Sequence, residues 1–188
     1  RAVGRQMTEM LGVSVGALRE LLPRLEAEGL LNVMPQRGIQ ITAIDLPMIR
    51  DAFQMRAAYE REAVMTAVRR MPDDMLTAQR VLHVDTIDRI KTDATDEVLA
   101  EGQDIDTGFH NILMEHTGNE LLVHAYNVNA IRIRMIKLDN ILLNSEVLPA
   151  AFADHLAIID AILERDMAAS IEAIDRHIRN ARERAISF

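Results

Sequence analysis

The chain has 188 residues and a net charge of −8, with 49% apolar and 27% charged residues, an ordinary balance for a globular protein with a sizeable core. It contains no cysteine, which excludes disulfide bonds, thiolate metal sites and cysteine nucleophiles. Aromatic residues make up only 3%, which argues against base-stacking surfaces for single-stranded nucleic acid, and no apolar run approaches the ~18 residues that a membrane span needs.

The charge is unevenly distributed along the chain. Residues 1–42 carry five Lys and Arg against four Asp and Glu, a net of +1, so the rest carries 16 against 25, a net of −9. A nearly neutral N-terminal segment followed by an acidic remainder favours two domains with different partners. We therefore predict a first domain at 1–43, called the head, and a second at 44–188, called the body. The lack of cysteine and of a visible signal peptide fits a cytoplasmic protein.

Residues 8–42 predict a helix, a tight turn, a second helix and a hairpin. The first helix ends at Gly12, and Ser14 caps a second helix that carries leucines at helical spacing and ends at Gly29. Pro23 lies inside this second helix and is expected to kink or restart it. The alternating runs LLNV and GIQIT, joined by PQRG, predict a β-hairpin.

This order of elements is that of a winged helix-turn-helix, in which the second helix enters the major groove of DNA and the hairpin touches the adjacent backbone. Arg19 lies on the candidate recognition helix and Arg37 at the tip of the wing. Each is long enough to reach a base edge or a phosphate. The pattern alone also leaves open a small helical domain with a hairpin and no nucleic-acid partner.

The head resembles the DNA-binding half of GntR-family transcription regulators. The matching runs are Gly-Val-Ser at 12–14, Leu-Arg-Glu at 18–20, Leu-Glu-Ala-Glu-Gly-Leu at 25–30 and Arg-Gly at 37–38. The resemblance implies a DNA-binding set of Ser14, Arg19, Gln36, Arg37 and Gly38. The family usually has a DNA-contacting Arg directly after the serine, where this sequence has Val15. Recognition of base edges is therefore expected to depend on Arg19 and on the wing.

From residue 44 onward the pattern predicts helices joined by short loops, without strands. Asp45 as a cap and Pro47 in the first turn indicate the first helix start. The later starts are indicated, in chain order, at Pro72, Thr95, Asn119, Glu146 and Met167. The predicted fold class is mostly α, with an antiparallel bundle of about six helices after the winged helix-turn-helix. The resemblance also implies an upstream first helix that this sequence lacks, so we expect the DNA-binding domain to be incomplete.

Asp106 and His110 are four residues apart, so they share one face of the predicted third body helix. Phe109 and Leu113 flank them with apolar bulk. The spacing alone leaves three interpretations open: a surface pair, a satisfied core pair, or half of a metal site.

Two more histidines lie on apolar faces of later helices. His155 shares its face with Phe152 and Ile159, and His177 shares its face with Ile174. A lone histidine in such a place is more often a satisfied core residue than a ligand. Burying several imidazoles and a carboxylate without partners would cost several kcal/mol, whereas one cation coordinated by all of them would remove that cost. Nitrogen and oxygen donors without thiolate suit Zn, Ni, Mn or Fe.

The body is similar to the FadR-type effector domain of GntR regulators, the all-helical FCD class. The matching residues are Asp106, Phe109-His110, Gly118-Asn119, His155 and His177. In metal-binding members the corresponding Asp and three His coordinate the ion. The resemblance thus implies a divalent transition metal, zinc first and Ni, Mn or Fe as alternatives, held by Asp106, His110, His155 and His177. The histidines that match no family ligand are interpreted as surface or core residues: His83, His116 and His124.

The family's effectors are mostly small organic acids bound beside the metal. A carboxylate can complete the coordination sphere of the ion, and an arginine can hold it through two hydrogen bonds. The candidate effector-binding residues are Arg56 and Arg134, with surface salt bridging as the alternative for both. This sequence has Tyr59-Glu60 where the family commonly has Leu-Glu after the arginine.

The prediction is a metabolite-responsive transcription regulator, a repressor and homodimer whose two-fold symmetry matches the half-sites of a double-stranded DNA operator. A metalloenzyme is the rival, since an open metal position can activate water. The sequence offers no obvious general base, and a winged helix has no role in an enzyme, so no catalytic residues are predicted. A pure metal sensor, in which the ion itself is the signal, is the third alternative.

Overall fold

The computed structural model describes residues 8–35, 37–140 and 144–186. The chain divides into two compact units between residues 45 and 46. Within the described ranges, every helix is too short or too polar to cross a membrane.

The first unit contains a helical segment at residues 8–11, helix α1 (Val15–Ala27) and a hairpin of strands β1 (Leu31–Met34) and β2 (Gly38–Ile41). The two strands are antiparallel, and residues 35–37 separate them in the chain. This is the predicted order of helix, helix and hairpin.

Local signals account for both ends of α1. The Ser14 hydroxyl accepts a hydrogen bond from the backbone N–H of Ala17 at 3.1 Å. Gly29, just beyond the helix, has a φ of 68°, which glycine adopts without steric cost. The helix continues through Pro23, so the expectation of a restart there is wrong. Because the fixed φ of proline is itself helical, the lost hydrogen bond does not force the chain out of the helix.

In its described residues the second unit consists of six long helices, which confirms the mostly α fold. Their bounds are α2 Leu46–Arg70, α3 Asp73–Thr92, α4 Asp96–Glu115, α5 Glu120–Asn140, α6 Val147–Leu163 and α7 Met167–Ile186. Helix α7 packs along α2 and α6, and α3 packs along α6. This arrangement brings α2, α4, α6 and α7 close enough to contribute side chains to one interior site.

Apolar side chains from all of these helices fill the interior. Phe53, Phe109 and Phe152 are fully buried, and each contributes about 1.5–3 kcal/mol by leaving water. A Cβ at Gly102 on α4 would lie 3.1 Å from Cδ1 of Leu148 on α6. The glycine thus allows these two helices to approach closely.

The turn between α6 and α7 caps the end of α2. Arg165 in this turn has a φ of 56°, and its guanidinium also pairs with Asp73. It donates to the carbonyl oxygens of Ala67, Val68 and Met71 at 3.2, 3.1 and 2.9 Å. The Ala67 carbonyl also accepts from the backbone N–H of Met71, whereas carbonyls at a helix end generally have no partner within the helix. One side chain thus satisfies the end of α2 and ties it to the turn before α7.

Candidate metal centre

Three histidines from different helices converge inside the second unit. His110 on α4, His155 on α6 and His177 on α7 are 3%, 0% and 2% exposed. One ligand atom from each lies within 4.8 Å of the other two. Two nitrogens bound to one zinc ion at about 2.0–2.1 Å are at most ~4.2 Å apart. At the tetrahedral angles that zinc prefers, the nitrogens would be only ~3.3–3.4 Å apart, so binding one ion would draw the three rings together by up to about 1.5 Å.

Asp106 lies beside the three histidines and is itself buried. Its burial together with His110 excludes the surface-pair interpretation of these two residues. Asp106 Oδ1 is 3.7 Å from His155 Nε2, while Oδ2 accepts a hydrogen bond from Lys137 Nζ at 2.8 Å. All four predicted ligands are thus neighbours, and their role as metal ligands stays a prediction.

His155 Nε2 is a buried nitrogen without a hydrogen-bond partner. Leaving a buried polar atom unsatisfied costs about 1–3 kcal/mol. A divalent cation placed among Asp106 and the histidines would use this lone pair. Three imidazole nitrogens and one carboxylate oxygen are also a donor set that zinc accepts, so these residues fit a metal ion.

Each of the three rings has an outer group beside its Nδ1. A hydrogen bond from such a group fixes which ring nitrogen faces a metal. Only His155 makes one, from Nδ1 to His83 Nε2 at 3.0 Å. The Nδ1 atoms of the other two rings lie near a carboxylate without a well-aligned hydrogen bond: His110 at 2.7 Å from Glu60 Oε2 and His177 at 3.7 Å from Asp154 Oδ2.

Arg56 on α2 faces two of these nitrogens. Its Nε donates to Glu60 Oε1 at 2.6 Å. Its Nη2 lies 2.8 Å from His110 Nε2 and 3.4 Å from His177 Nε2. A guanidinium only donates, so both imidazoles direct lone pairs toward it. Arg56 is buried, which makes the surface-salt-bridge alternative wrong for this residue.

Charges at the site are balanced in pairs. Burial alone would raise the pKa of the Glu60 carboxyl, but Arg56 and His110 together outweigh burial and hold that pKa well below its usual range. At Asp106 the upward effect of burial on the pKa is likewise outweighed, chiefly by Lys137. Burial lowers the pKa of His177 to about 4, so this imidazole is neutral at pH 7, as a metal ligand must be.

A cavity of about 510 Å³ opens beside Arg56, Asp106 and His110. This volume is in the range of small-molecule sites. Amides, hydroxyls and two further cations give it a polar character suited to a hydrated anion. The other polar lining residues are Gln103, Asp104, Thr107, Asn111, Tyr126, Asn127, Asn129, Arg134 and Lys137.

Sequence reasoning did not single out the residues around the ligands: Glu60, His83, Lys137 and Asp154. Glu60 follows Arg56 by four residues, and that spacing places both on one helical face, so a signal for it was present. His83 was interpreted as a surface or core residue. It is fully buried and contacts His155, a role that no pattern on its own helix indicates. His124 is exposed and His116 half-buried.

The predicted DNA-contacting residues belong to the first unit. Arg19 is exposed on α1, and Arg37 is exposed in the hairpin turn. Gly38 begins β2 with a φ of 109°, and the Ser14 side chain is engaged as the cap of α1. Gln36 lies outside the described residues. The DNA contacts stay predictions.

Comparison with known proteins agrees with this architecture. The family described as the FCD domain matches residues 51–180. The chain is 27% identical over 177 residues to the HTH-type transcriptional repressor GlaR of Escherichia coli, covering 92% of this chain and 80% of that protein.

Two solved structures have a similar fold. E. coli McbR/YncC has a TM-score of 0.74 at 16% identity, with 95% of this chain and 82% of that chain covered. The Zn²⁺-bound FCD domain of TM0439 has a TM-score of 0.57 at 21% identity, with 77% of this chain and 95% of that chain covered.

Proposed function

The chain belongs to the FCD-domain family of GntR-type transcription regulators, and from that premise we propose that it is a metabolite-responsive repressor that binds a divalent metal ion and a small organic acid. The observation that carries the proposal is the convergence of three buried histidines with Asp106 beside His155, next to a cavity of about 510 Å³ lined by Arg56, Asp106 and His110. The relatives of this chain are transcription regulators, and the protein is a regulator rather than an enzyme.

The proposed metal ligands are Asp106, His110, His155 and His177. Zinc suits three imidazoles and a carboxylate, with Ni, Mn or Fe as alternatives. The Nε2 of His155, which lacks a hydrogen-bond partner, supports this assignment, as does the Zn²⁺-bound state of a structural neighbour. The ion would supply net positive charge, because Arg56 and Lys137 already offset the carboxylates of Glu60 and Asp106.

The proposed effector is a small polar carboxylate, such as a hydroxy acid, a sugar acid or a dicarboxylate. Its carboxylate would approach the metal and Arg56, where a guanidinium can donate two parallel hydrogen bonds. Amide and hydroxyl groups such as those of Asn111 and Thr107 are matched to ligand hydroxyls. The exposed Arg134 is a further cation at the same cavity, within reach of a second carboxylate, whereas Lys137 is paired with Asp106.

The first unit supplies the DNA-binding function in this proposal. Helix α1 would enter the major groove with Arg19, and the hairpin turn would bring Arg37 to the flanking backbone. The remaining members of the proposed set are Ser14, Gln36 and Gly38. A homodimer would match two operator half-sites, and a regulator of this kind acts in the cytoplasm, where the operator is.

Metal and acid can change DNA affinity only through different affinities for two states of the protein. A coupling of ~1–3 kcal/mol corresponds to roughly a five-fold to 150-fold change in operator affinity. Repression is relieved by the acid if the free protein has the higher affinity for DNA.

The test is a panel of organic acids screened by thermal shift on metal-stripped and zinc-loaded protein, followed by operator titrations with the acids that bind. We expect at least one acid to stabilise only the zinc-loaded form and to change operator affinity. No stabilisation by any acid, or stabilisation that persists after stripping, contradicts the proposal. Operator affinity that follows zinc alone would instead identify a pure metal sensor, which the buried four-ligand set also permits.

A further inference from the structure

His83 contacts the edge of the His155 ring that bears Nδ1. It lies on α3, is fully buried, and packs its ring against Phe109 and Phe152 with centroids 5.2 and 4.7 Å apart. Its Nδ1 is 2.7 Å from the carbonyl oxygen of Gln79, and its Nε2 is 3.0 Å from His155 Nδ1. Both ring nitrogens therefore have a partner inside the protein.

These two contacts determine where the hydrogens lie. A carbonyl oxygen only accepts, so His83 Nδ1 carries a hydrogen and, in the neutral ring, Nε2 holds the lone pair. His155 Nδ1 must then donate the hydrogen of the 3.0 Å bond. Both rings are buried, which disfavours a charged imidazolium.

The consequence reaches the candidate metal centre. A neutral His155 with its hydrogen on Nδ1 has its lone pair on Nε2. That atom is buried without a hydrogen-bond partner and lies 3.7 Å from Asp106 Oδ1. The Gln79 carbonyl fixes the tautomer of His83, and His83 in turn fixes the tautomer of His155. The lone pair of the His155 ring is therefore on Nε2.

We propose that His83 is a positioning residue of the metal centre, which fixes His155 in the tautomer that offers Nε2 to the ion. The proposal rests on the proposed function for the ion, whereas the tautomer is a property of the chain itself. Glu60 contacts His110 from the corresponding side as a carboxylate, while His83 is a neutral acceptor. His83 therefore orients a ligand without adding negative charge beside an anion-binding cavity.

Three substitutions separate positioning from packing. His83→Phe keeps an aromatic ring between Phe109 and Phe152 but removes both hydrogen bonds. His83→Gln supplies an amide oxygen that can accept from His155. Thr86→Val is the matched control, because Thr86 is a buried polar residue one turn further along α3.

The first measurement is the tautomer of His155 in the metal-stripped protein, read from ¹⁵N–¹H correlations of the imidazole nitrogens. We expect the hydrogen on Nδ1 in the wild type and a loss of this preference in His83→Phe. The second measurement is zinc affinity by competition with a chromogenic chelator. Loss of an outer partner typically weakens metal binding about 10-fold to 100-fold, and we expect a loss of that size for His83→Phe.

The other two variants are expected to bind zinc within a few-fold of the wild type. A hydrogen on Nε2 of His155 in the wild type overturns the proposal, as does wild-type zinc affinity in His83→Phe or an equal loss in Thr86→Val. If the wild type binds no zinc, the proposed function fails, and the His155 tautomer still decides the role of His83. Because that reading is made on the wild type, a folding defect in His83→Phe does not remove the test.

Discussion

Arg56 Nη2 lies 2.8 Å from His110 Nε2, so a buried guanidinium donates to a lone pair that a metal ion at this centre would take. The two cations therefore compete for the same nitrogen. An ion bound through His110 would turn the guanidinium away from the ring. Because Arg56 also lines the neighbouring cavity, metal binding would release it toward the carboxylate of the effector.

This competition predicts opposite effects of Arg56→Met on the two ligands. Zinc affinity is expected to rise about tenfold or more, since a hydrogen bond from a charged group, worth ~1.5–3 kcal/mol, no longer has to be broken. Acid affinity is expected to fall. The metal-free variant is expected to lose about 3–5 kcal/mol of stability, because Glu60 stays buried without its cation. Zinc competition, acid titration and urea unfolding measure the three effects.

Arg61→Met is the control for this substitution. Arg61 lies on the same helix but forms a partly exposed pair with Asp175, worth at most about 1 kcal/mol. Arg61→Met should therefore leave the affinities for zinc and for the acid unchanged. Zinc affinity in Arg56→Met that is equal to or below that of the wild type would show that Arg56 does not compete with the ion.

The free energy of unfolding of the metal-free protein is expected to fall on acidification. The folded-state pKa of His177 is lowered to about 4 by burial, against a reference near 6.5. Between these values the unfolded chain binds a proton that the folded chain excludes, so stability is lost as the pH drops from about 6.5 to 4. The contribution of His177 to this loss of unfolding free energy amounts to about 3 kcal/mol.

Urea unfolding at several pH values between 7 and 4 measures this dependence, with His177→Gln as the comparison. The variant has no imidazole at this position, so its stability should change less with pH over the same window. Equal slopes for the two proteins would show that His177 is not held neutral by the fold.

Much of this architecture was predictable from sequence because its signals are local. Ser14, Thr95 and Asn119 each accept a backbone hydrogen bond at a helix start, and residue type and spacing alone indicated all three. The approach of Asp106 to three histidines followed from a resemblance rather than from spacing, since the ligands are up to 71 positions apart. The outer partners escaped prediction because they depend on which helices pack together. No periodicity on α3 indicates that His83 meets His155 on α6.

Arg165 is expected to stabilise the fold by capping the end of α2. Arg165→Ala removes the cap on the α2 carbonyls and places alanine at a φ of 56°, whereas Arg165→Gly removes the cap alone. We expect both variants to be destabilised by about 1–3 kcal/mol through the unpaired carbonyls. Alanine should cost about 1 kcal/mol more than glycine because of backbone strain. Urea unfolding compares them, and equal stability of the two variants would contradict the strain argument.

DNA binding is expected to depend on Arg19 and Arg37. Alanine at a residue that contacts a base costs ~1–3 kcal/mol and relaxes specificity, whereas alanine at a phosphate contact reduces the salt dependence. Arg24→Ala is the matched control, since Arg24 is exposed on α1 about 140° around the helix from Arg19. Operator titrations at several salt concentrations make the comparison. Unchanged affinity in both Arg19→Ala and Arg37→Ala would remove these residues from the interface.

The central claim is that Asp106 and the three histidines hold one divalent ion. X-ray absorption at the zinc edge of the loaded protein tests it most directly, because it reports the atoms around the metal. We predict one zinc per chain with three imidazole nitrogens at about 2.0–2.1 Å and a carboxylate oxygen in the shell. His155→Ala should lose one imidazole or the ion itself. A wild-type protein that retains no zinc after dialysis, or a zinc shell with fewer than three imidazoles, would contradict the account.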